Sequence, residues 1–351
     1  MSEQRATLLR QPPPDPNKAP IENVLEVTEL SVFGPDIFTN TRQQWHPPGA
    51  RGIYGGSVIA LCLASAQRTV PDDFFIHSCH CYFLLAGSGE LPILFHVERV
   101  RDGKSYATRT VQARQKGRCI FTTTISFVRE GSSGSPGSQV SHAAPMPLGA
   151  DGKPVSPPPD NLSDVPDLAA MGPFESNRIE VTNETSPHAH EKKTRQWVRA
   201  RGKIGGGYQA HLNALAYVSD SYFIGTITRI HKLWRFPFPA ADVDKLDPDM
   251  RERICKLNAW EGMGDPKEMV DRPEIGMMVS LDHTIYFHEP RKVRADEWML
   301  SEMDSPWAGD GRGVVTQRIF SKDGTLLATC VQEGVVRLKD EAKAKGKESK
   351  L

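Results

Sequence analysis

A glutamine within an apolar strand is the first candidate for chemistry in this sequence. Gln332 lies in LLATCVQEGVVRL, a run of aliphatic and β-branched residues typical of a strand, where alternation puts it on the same side as Ala328 and Cys330. An amide in such surroundings costs roughly 1–3 kcal/mol when it has no hydrogen-bond partner. Because an amide both donates and accepts hydrogen bonds, Gln332 is able to hold a water molecule while it bonds to a second group. We therefore expect a partner, and a bond to a neighbouring strand is the ordinary one.

Asp220 is the candidate base. A helical wheel over GGGYQAHLNALAYVSDSYFI (residues 205–224) gives an apolar face and a polar stripe that contains Gln209, Asn213 and Asp220. The helix dipole disfavours a carboxylate near a helix C-terminus, so the pKa of Asp220 should be raised and the group should be a better base. A solvated helix face explains the same stripe, and the wheel alone does not locate a site.

The segment VSLDHTIYFH (residues 279–288) carries a row of polar residues. Strand alternation gathers these on one side, and they are Ser280, Asp282, Thr284 and Tyr286. The row is either the outer side of a strand half exposed to water or the wall of a cleft. His283 falls on the other, apolar side, where a histidine is most often a core residue with satisfied hydrogen bonds.

Two predicted helices begin with glycines, at Gly55-Gly56 and at GGG (residues 205–207). Such a start leaves backbone N–H groups free to bind a developing oxyanion or a phosphate. Several motifs of other chemistries are missing: G-x-S-x-G, the phosphate loop, H-E-x-x-H and paired C-x-x-C. The six cysteines should be buried, reduced thiols, and we expect no metal site.

Length and composition limit the class of protein. A chain of 351 residues is long enough for two domains with their own cores. Its 43 Lys and Arg balance 43 Asp and Glu, so no net field attracts nucleic acid or an anionic membrane. The N-terminus has no apolar segment typical of a signal peptide, and no apolar stretch is long enough to span a bilayer. We expect an intracellular protein that neither binds nucleic acid nor spans a membrane.

The order of elements occurs twice along the chain. In each half a helix (residues 55–70 and 205–224) is followed by β-rich runs, so we predict a tandem repeat. The predicted class is α+β, with two tandem antiparallel sheets, each wrapped around a central helix. The predicted parts are a flexible N-terminus (1–20), a first domain (21–130), a Gly/Ser/Pro-rich linker (131–165), a second domain (166–338) with an insertion (about 232–273), and a charged tail (339–351).

The last three residues form a targeting signal. Ser349-Lys350-Leu351 is the S-K-L tripeptide that the peroxisomal import receptor binds, and a charged tail with few apolar residues leaves it accessible. We therefore expect the import receptor as a partner and the peroxisomal matrix as the location.

Seven motifs occur in order across both halves: YGGSVIA, HSCHCYFLLAG, VERVRDGKSYATR, RQWVRARG, AYVSDSYF, SLDHTIYFH and GTLLATCVQEGVVR. Together they resemble the type II acyl-CoA thioesterases, double hot-dog proteins of bacteria and peroxisomes, and with the S-K-L end the chain looks like a peroxisomal, fungal-like member. The resemblance covers about residues 24–128 and 179–338.

The resemblance implies a function and a site. In this family a carboxylate, a hydroxyl and an amide hold the water that attacks the thioester, and the matching positions are Asp220, Ser280 and Gln332. The implied reaction hydrolyses acyl-CoA to a free acid and CoA, with no covalent intermediate, no metal and no organic cofactor. In the first half the position that matches Asp220 falls near Ala66, so one active site per chain is implied. Homo-oligomers are also implied.

Other functions fit parts of the pattern. Hot-dog enoyl-CoA hydratases share a D-x-N-x-x-H motif, which this sequence lacks. A non-catalytic acyl-CoA-binding protein and a pathway-specific thioesterase of secondary metabolism remain alternatives. The long linker, the insertion and HEPRK in place of a more usual HRP depart from the family, and they concern acyl-chain preference and subunit packing.

Overall fold

The computed structural model describes residues 11–47, 50–162 and 165–339. The helices in this part of the chain are α1 (Pro20–Val24), α2 (Gly55–Gln67), α3 (Asp167–Ala170), α4 (Gly207–Val218), α5 (Gly225–Ile230) and α6 (Pro248–Trp260). The strands of the first half are β1 (Val27–Glu29), β2 (Ile37–Asn40), β3 (Phe74–Phe83), β4 (Leu94–Asp102), β5 (Tyr106–Gln115) and β6 (Arg118–Arg129). The strands of the second half are β7 (Phe174–Ser176), β8 (Glu180–Thr182), β9 (Lys193–Ala200), β10 (Ile275–Ser280), β11 (Asp282–Phe287), β12 (Met299–Gly309), β13 (Arg312–Ser321) and β14 (Leu326–Leu338).

The strands of both halves form one antiparallel sheet. Its order is β1-β2-β4-β5-β6-β3-β11-β14-β13-β12-β9-β7, with β10 paired to β14 and β8 paired to β9. The two halves meet where β3 pairs with β11, in a register that places Cys79 opposite Ile285. The predicted α+β repeat is therefore present, but its two sheets join edge to edge along equivalent strands. This pairing removes two free sheet edges, which are sites of unwanted association.

The central helices lie in one core that both halves share. α2 is buried at every residue from Gly56 to Gln67, because a helix that is apolar on all sides has to be enclosed. It packs against β4, β5 and β6 of its own half and against α4 of the other half. Leu212, Leu215 and Val218 of α4 belong to the same apolar cluster as α2. Because this core runs through both halves, it does not mark where one domain ends and the next begins. The predicted domain boundaries therefore stay a prediction.

The second central helix is shorter than its pattern predicts. It ends at Val218, and the chain turns through Tyr222, whose φ is +57°, before α5 begins at Gly225. Asp220 therefore lies in a turn after the helix. The wheel could not detect this end, because the residues that follow keep the apolar spacing of a helix.

Part of the segment between residues 131 and 162 packs against the second half of the chain. Met146 is buried with Trp197 and Trp298, and Val155 and Leu162 pack against this cluster. Apart from the short 3-10 helix Pro136–Ser138, the described part of this segment contains no helix or strand. The predicted linker is therefore irregular in structure, but its second half covers part of the sheet.

The insertion at 232–273 has a small core of its own. Trp234, Met263 and Met269 are buried in it. The predicted helix is confirmed as α6, with Asp247 as N-cap accepting a 2.9 Å bond from the backbone N–H of Met250, and with Pro248 at the first position. Met250, predicted on the apolar face of this helix, is exposed.

The N-terminal segment is held to the fold from residue 15 onward. The side chain of Asn23 accepts a 2.8 Å bond from the backbone N–H of Asp15 and donates a 3.0 Å bond to its carbonyl oxygen. Ala19 is buried beside the first turn of α1. This stretch, expected to be flexible, is therefore anchored.

Two further predictions concern membranes and targeting. Within the residues that the structure describes, no helix is long and apolar enough to cross a membrane. Ser349-Lys350-Leu351 lies outside the described residues.

Candidate active site

Asp220, Ser280 and Gln332 come together from three elements. Asp220 lies in the turn after α4, Ser280 ends β10, and Gln332 lies within β14. The side-chain nitrogen Nε2 of Gln332 donates a 2.7 Å hydrogen bond to Oδ1 of Asp220. Asp220 and Ser280 line one cavity of about 470 Å³. The buried amide thus bonds to a carboxylate outside the sheet, in addition to the partner on the neighbouring strand β11 that is described below.

A break in the strand at Leu281 sets the position of Ser280. β10 pairs with β14 so that Ser280 lies opposite Gly334, whereas β11 pairs with it so that Thr284 lies opposite Val331. The two registers differ by one residue, which is the extra residue of a bulge. At the break, the backbone N–H of Leu281 still donates a 2.9 Å bond to the carbonyl of Glu333.

The bulge puts His283 on the inner face of the sheet together with Ser280 and Gln332. Strict alternation predicts Ser280 and His283 on opposite faces, and this prediction is wrong, because one extra residue reverses the alternation. His283 is fully buried, and its Nδ1 lies 3.1 Å from Nε2 of Gln332. The expectation of a core histidine with satisfied hydrogen bonds is confirmed.

A chain of hydrogen bonds fixes the orientation of the Gln332 amide. Burial lowers the pKa of His283 to about 3, so the ring is neutral. Its Nδ1 accepts one hydrogen of the Gln332 amide, which leaves Nε2 to donate to the hydroxyl of Ser219 at 3.0 Å. That hydroxyl donates in turn to the carbonyl of Ala216 at 2.9 Å. Both amide hydrogens of Gln332 are therefore committed, one to His283 and one to Asp220.

The other end of the same amide is open. Oε1 of Gln332 is buried and has no hydrogen-bond partner within the described residues. A buried acceptor without a partner is costly, and this oxygen keeps its capacity to accept a hydrogen bond.

Burial controls the chemistry of Asp220. It raises the pKa of Asp220 to about 6, against the opposing effects of the Gln332 amide and of the backbone N–H of Gly56. The predicted direction of the shift agrees with the structure. The predicted cause, the dipole of its own helix, is wrong, because that helix ends at Val218 and burial is the main effect.

The start of α2 is pressed against this carboxylate. A Cβ atom on Gly55 would lie 2.7 Å from Oδ2 of Asp220, and one on Gly56 would lie 2.1 Å from the carbonyl oxygen of Tyr217. The hydroxyl of Tyr54 donates to that same carbonyl at 2.9 Å. Only glycine therefore fits at these two positions. The first half of the chain thus forms part of the environment of a carboxylate that belongs to the second half.

The two glycine-rich helix starts serve carboxylates of the protein itself. The N–H of Gly56 bonds to Asp220, while the N–H groups of Gly205 and Gly206 donate to Glu22 of α1 at 3.2 and 2.8 Å. The expected oxyanion or phosphate site at residues 205–207 is therefore occupied by Glu22. The prediction of an open anion site at this second helix start is wrong.

The cavity that Asp220 and Ser280 line also has an apolar wall. Ile53, Val58 and Phe83 of the first half line it, together with residues 278–281 of the second half. Ala66, the predicted counterpart of Asp220, is buried in the core and offers no base.

The sequence did not reveal the roles of Ser219 and His283, although each is adjacent to a polar residue of a recognised motif, in VSD and LDH. No group of three or more His, Cys, Asp or Glu that could hold a metal occurs in the described ranges.

Comparison with known protein families covers both halves of the chain. Residues 41–128 match the model of the acyl-CoA thioesterase N-terminal domain, and residues 153–336 match that of the acyl-CoA thioesterase C-terminal domain. The chain is 34% identical over 93% of its length to human acyl-coenzyme A thioesterase 8, covering 92% of that protein. It is 24% identical to the peroxisomal acyl-coenzyme A thioester hydrolase 1 of Saccharomyces cerevisiae, with 91% of this chain and 96% of that protein covered.

Solved structures have the same architecture. The acyl-CoA thioesterase II TesB2 of Mycobacterium marinum superposes with a TM-score of 0.61 at 29% identity, covering 91% of this chain and 98% of that one. A protein from Alicyclobacillus acidocaldarius described as having a hot-dog fold gives a TM-score of 0.58 at 17% identity, with 91% and 98% covered. The double hot-dog fold is thus confirmed.

The buried carboxyl of Asp220 predicts a pH-dependent stability. Its pKa is about 6 in the fold and 3.8 in a model peptide, so the unfolded chain releases the proton first as pH rises. Between pH 4 and 7 the wild type should lose about 2–3 kcal/mol of unfolding free energy relative to Asp220→Asn. Urea denaturation of both proteins across this range measures the difference.

Asp323→Asn is the control with the opposite sign. Hydrogen bonds from Ser321 and from the backbone of Thr325 lower the pKa of Asp323, so here the wild type should gain stability relative to the variant as pH rises. If the difference in unfolding free energy between wild type and Asp220→Asn does not change with pH, the fold does not destabilise the ionised form of Asp220.

Proposed function

The chain belongs to the type II acyl-CoA thioesterases, and we propose that Asp220, Ser280 and Gln332 are the residues with which it activates water. As a member of this family it is an enzyme that hydrolyses acyl-CoA to a free acid and CoA. One observation carries the assignment of the residues: the Gln332 amide bonds to a buried carboxylate in the wall of the cavity that Ser280 also lines.

The hydrogen-bonding capacity of the three side chains matches that of one water molecule. Asp220 accepts one hydrogen of the water, and the open Oε1 of Gln332 accepts the other. The hydroxyl of Ser280 donates to one lone pair, which leaves the second lone pair to attack the thioester carbonyl. This assignment refines the role of Gln332, whose N–H groups are committed to Asp220 and His283 and cannot serve the water.

The reaction then proceeds by general base and general acid catalysis. Attack forms a C–O bond at the carbonyl carbon while Asp220 takes a proton from the water. Collapse of the tetrahedral adduct breaks the C–S bond, and Asp220 returns the proton to the departing CoA thiolate. A pKa of about 6 suits both steps, because the group is ionised at neutral pH and still gives its proton back readily.

The alternatives are not favoured. The relatives at 34% and 24% identity are named as thioester-hydrolysing enzymes, and not as acyl-CoA-binding proteins. The cavity beside Asp220 has an apolar wall that suits an acyl chain, which supports hydrolysis of acyl thioesters at this position.

Removing any of the three groups should abolish most of the activity. Asp220→Asn, Gln332→Ala and Ser280→Ala should each lower kcat by about 100-fold or more, because each removes a group that holds or deprotonates the water. Ser280→Thr keeps the hydroxyl and should stay within about tenfold of the wild type. Release of free thiol from a panel of saturated acyl-CoA substrates measures these changes.

The matched control for Gln332 is Gln317→Ala. Gln317 is an equally buried amide on the neighbouring strand β13, where it donates a 2.7 Å bond to Ser301. Its loss should lower stability and leave kcat near the wild-type value below the unfolding transition. Wild-type kcat in Asp220→Asn would refute the assignment.

We also propose that the enzyme enters the peroxisomal matrix through Ser349-Lys350-Leu351 and the import receptor. The S-K-L sequence and the name of the yeast relative support this proposal. A fluorescent protein fused to the N-terminus should co-localise with a peroxisomal marker, and deletion of the tripeptide should leave it diffuse. Diffuse fluorescence with the tripeptide intact would contradict the proposal.

Self-association is proposed through the outer face of the central strands. Tyr82 of β3 and Tyr286 of β11 are 59% and 44% exposed, in the middle of the sheet. Aromatic residues such as these are enriched at contact surfaces between proteins. Sedimentation should give a mass above the 38.9 kDa of one chain, and the double variant Tyr82→Lys, Tyr286→Lys should shift it toward one chain. A wild-type monomer would contradict the proposal.

A further inference from the structure

A second cavity adjoins the one that contains Asp220. It has a volume of about 680 Å³, and residues 43–46 and 86–90 form most of its wall. The two cavities share Arg51, Ala86 and Gly87. The two cavities are therefore neighbours that meet at these three residues.

The second cavity is polar and has unused hydrogen-bonding groups. Gln44 is 4% exposed, and its Oε1 has no partner within the described residues. Arg51 and His46 are exposed at the wall, and neither forms an ion pair with any described residue. Trp45 is 39% exposed, and the centroid of its ring lies 6.0 Å from that of the Tyr54 ring.

A basic hairpin is attached to the wall of this cavity. The turn between β5 and β6 is fastened through Gln115, which accepts a 2.9 Å bond from the N–H of Ser88 and donates a 2.8 Å bond to its carbonyl and a 2.9 Å bond to the carbonyl of Leu91. Because the wall includes residues 86–90, these bonds fasten the hairpin to the cavity.

The hairpin carries cations without acidic partners. Lys116 and Arg118 form no ion pair with the described residues, and Arg114 donates only to the neutral oxygens of Gln112 and Gly117. The acidic residue in the cavity wall is Glu90. Wall and hairpin together therefore have an excess of positive charge in a protein whose total charge is balanced.

We propose that this second cavity and its basic hairpin bind the phosphorylated nucleotide of CoA. Arg51, Lys116 and Arg118 would hold the phosphate groups, and Trp45 would stack on the adenine. The proposal rests on the proposed function, because a thioester at Asp220 has its acyl chain at one end and its anionic nucleotide at the other. An apolar cavity that adjoins a cationic one at Arg51 matches this polarity.

Two substrates of equal acyl chain test the site. Arg51→Gln and the double variant Lys116→Gln, Arg118→Gln should each raise KM for an acyl-CoA by about tenfold or more, with kcat within about threefold of the wild type. Neither variant should change kcat/KM for the matching acyl-pantetheine, which has the same thioester and no nucleotide. Arg318→Gln, an exposed residue on β13 in the other half of the chain, should change neither substrate.

Direct binding separates this proposal from the assignment of the catalytic residues. Adenosine 3′,5′-bisphosphate should bind to the wild type and to Asp220→Asn with equal affinity in calorimetry, and about tenfold or more weakly to the Arg51 and hairpin variants. Equal binding to all proteins, or an equal rise of KM for acyl-CoA and acyl-pantetheine, would overturn the nucleotide site. Nucleotide binding together with an active Asp220→Asn would leave this site standing and refute only the catalytic assignment.

Discussion

The contact between the start of α2 and the turn after α4 is the constraint on which the site depends. Gly55 and Gly56 approach Asp220 and the carbonyl of Tyr217 so closely that neither position has space for a side chain. The carboxylate is thereby largely shielded from water, with 10% of its side chain exposed, yet it receives the N–H of Gly56 and the amide of Gln332. Both repeats have to be folded and docked before this environment exists, so the continuous core and the β3–β11 pairing are also conditions for catalysis.

The buried carboxylate carries a cost in stability that its proposed function explains. A fully solvated Asp220 would be a weak base at neutral pH, whereas a carboxyl buried without partners would stay protonated. The two hydrogen bonds it receives hold the pKa between these limits. A series of hydrogen bonds runs from Gln332 through His283 and Ser219 to the carbonyl of Ala216. Each donor in it meets one acceptor, so the Gln332 amide has one possible orientation. Proteins commonly give up stability at such sites in exchange for reactivity.

Much of this structure is predictable from the sequence because it depends on local pattern. The enclosed helix at Gly55, the strand around Gln332 and the repetition of the fold all follow from the spacing of apolar residues. The family resemblance proposes Asp220, Ser280 and Gln332, and the structure brings them to one place.

What the pattern could not predict depends on backbone geometry or on distant contacts. The bulge at Leu281 is a single residue that alternation cannot detect, yet it reverses the side on which His283 lies. The early end of α4 is hidden by apolar residues that continue the helical spacing. Glu22 reaches the glycines at 205 and 206 from far away in the sequence, and no local signal announces such a contact. That last contact also makes the duplicated fold asymmetric: of two corresponding helix starts, one faces the carboxylate that we propose as the base, and the other is occupied by the carboxylate of Glu22.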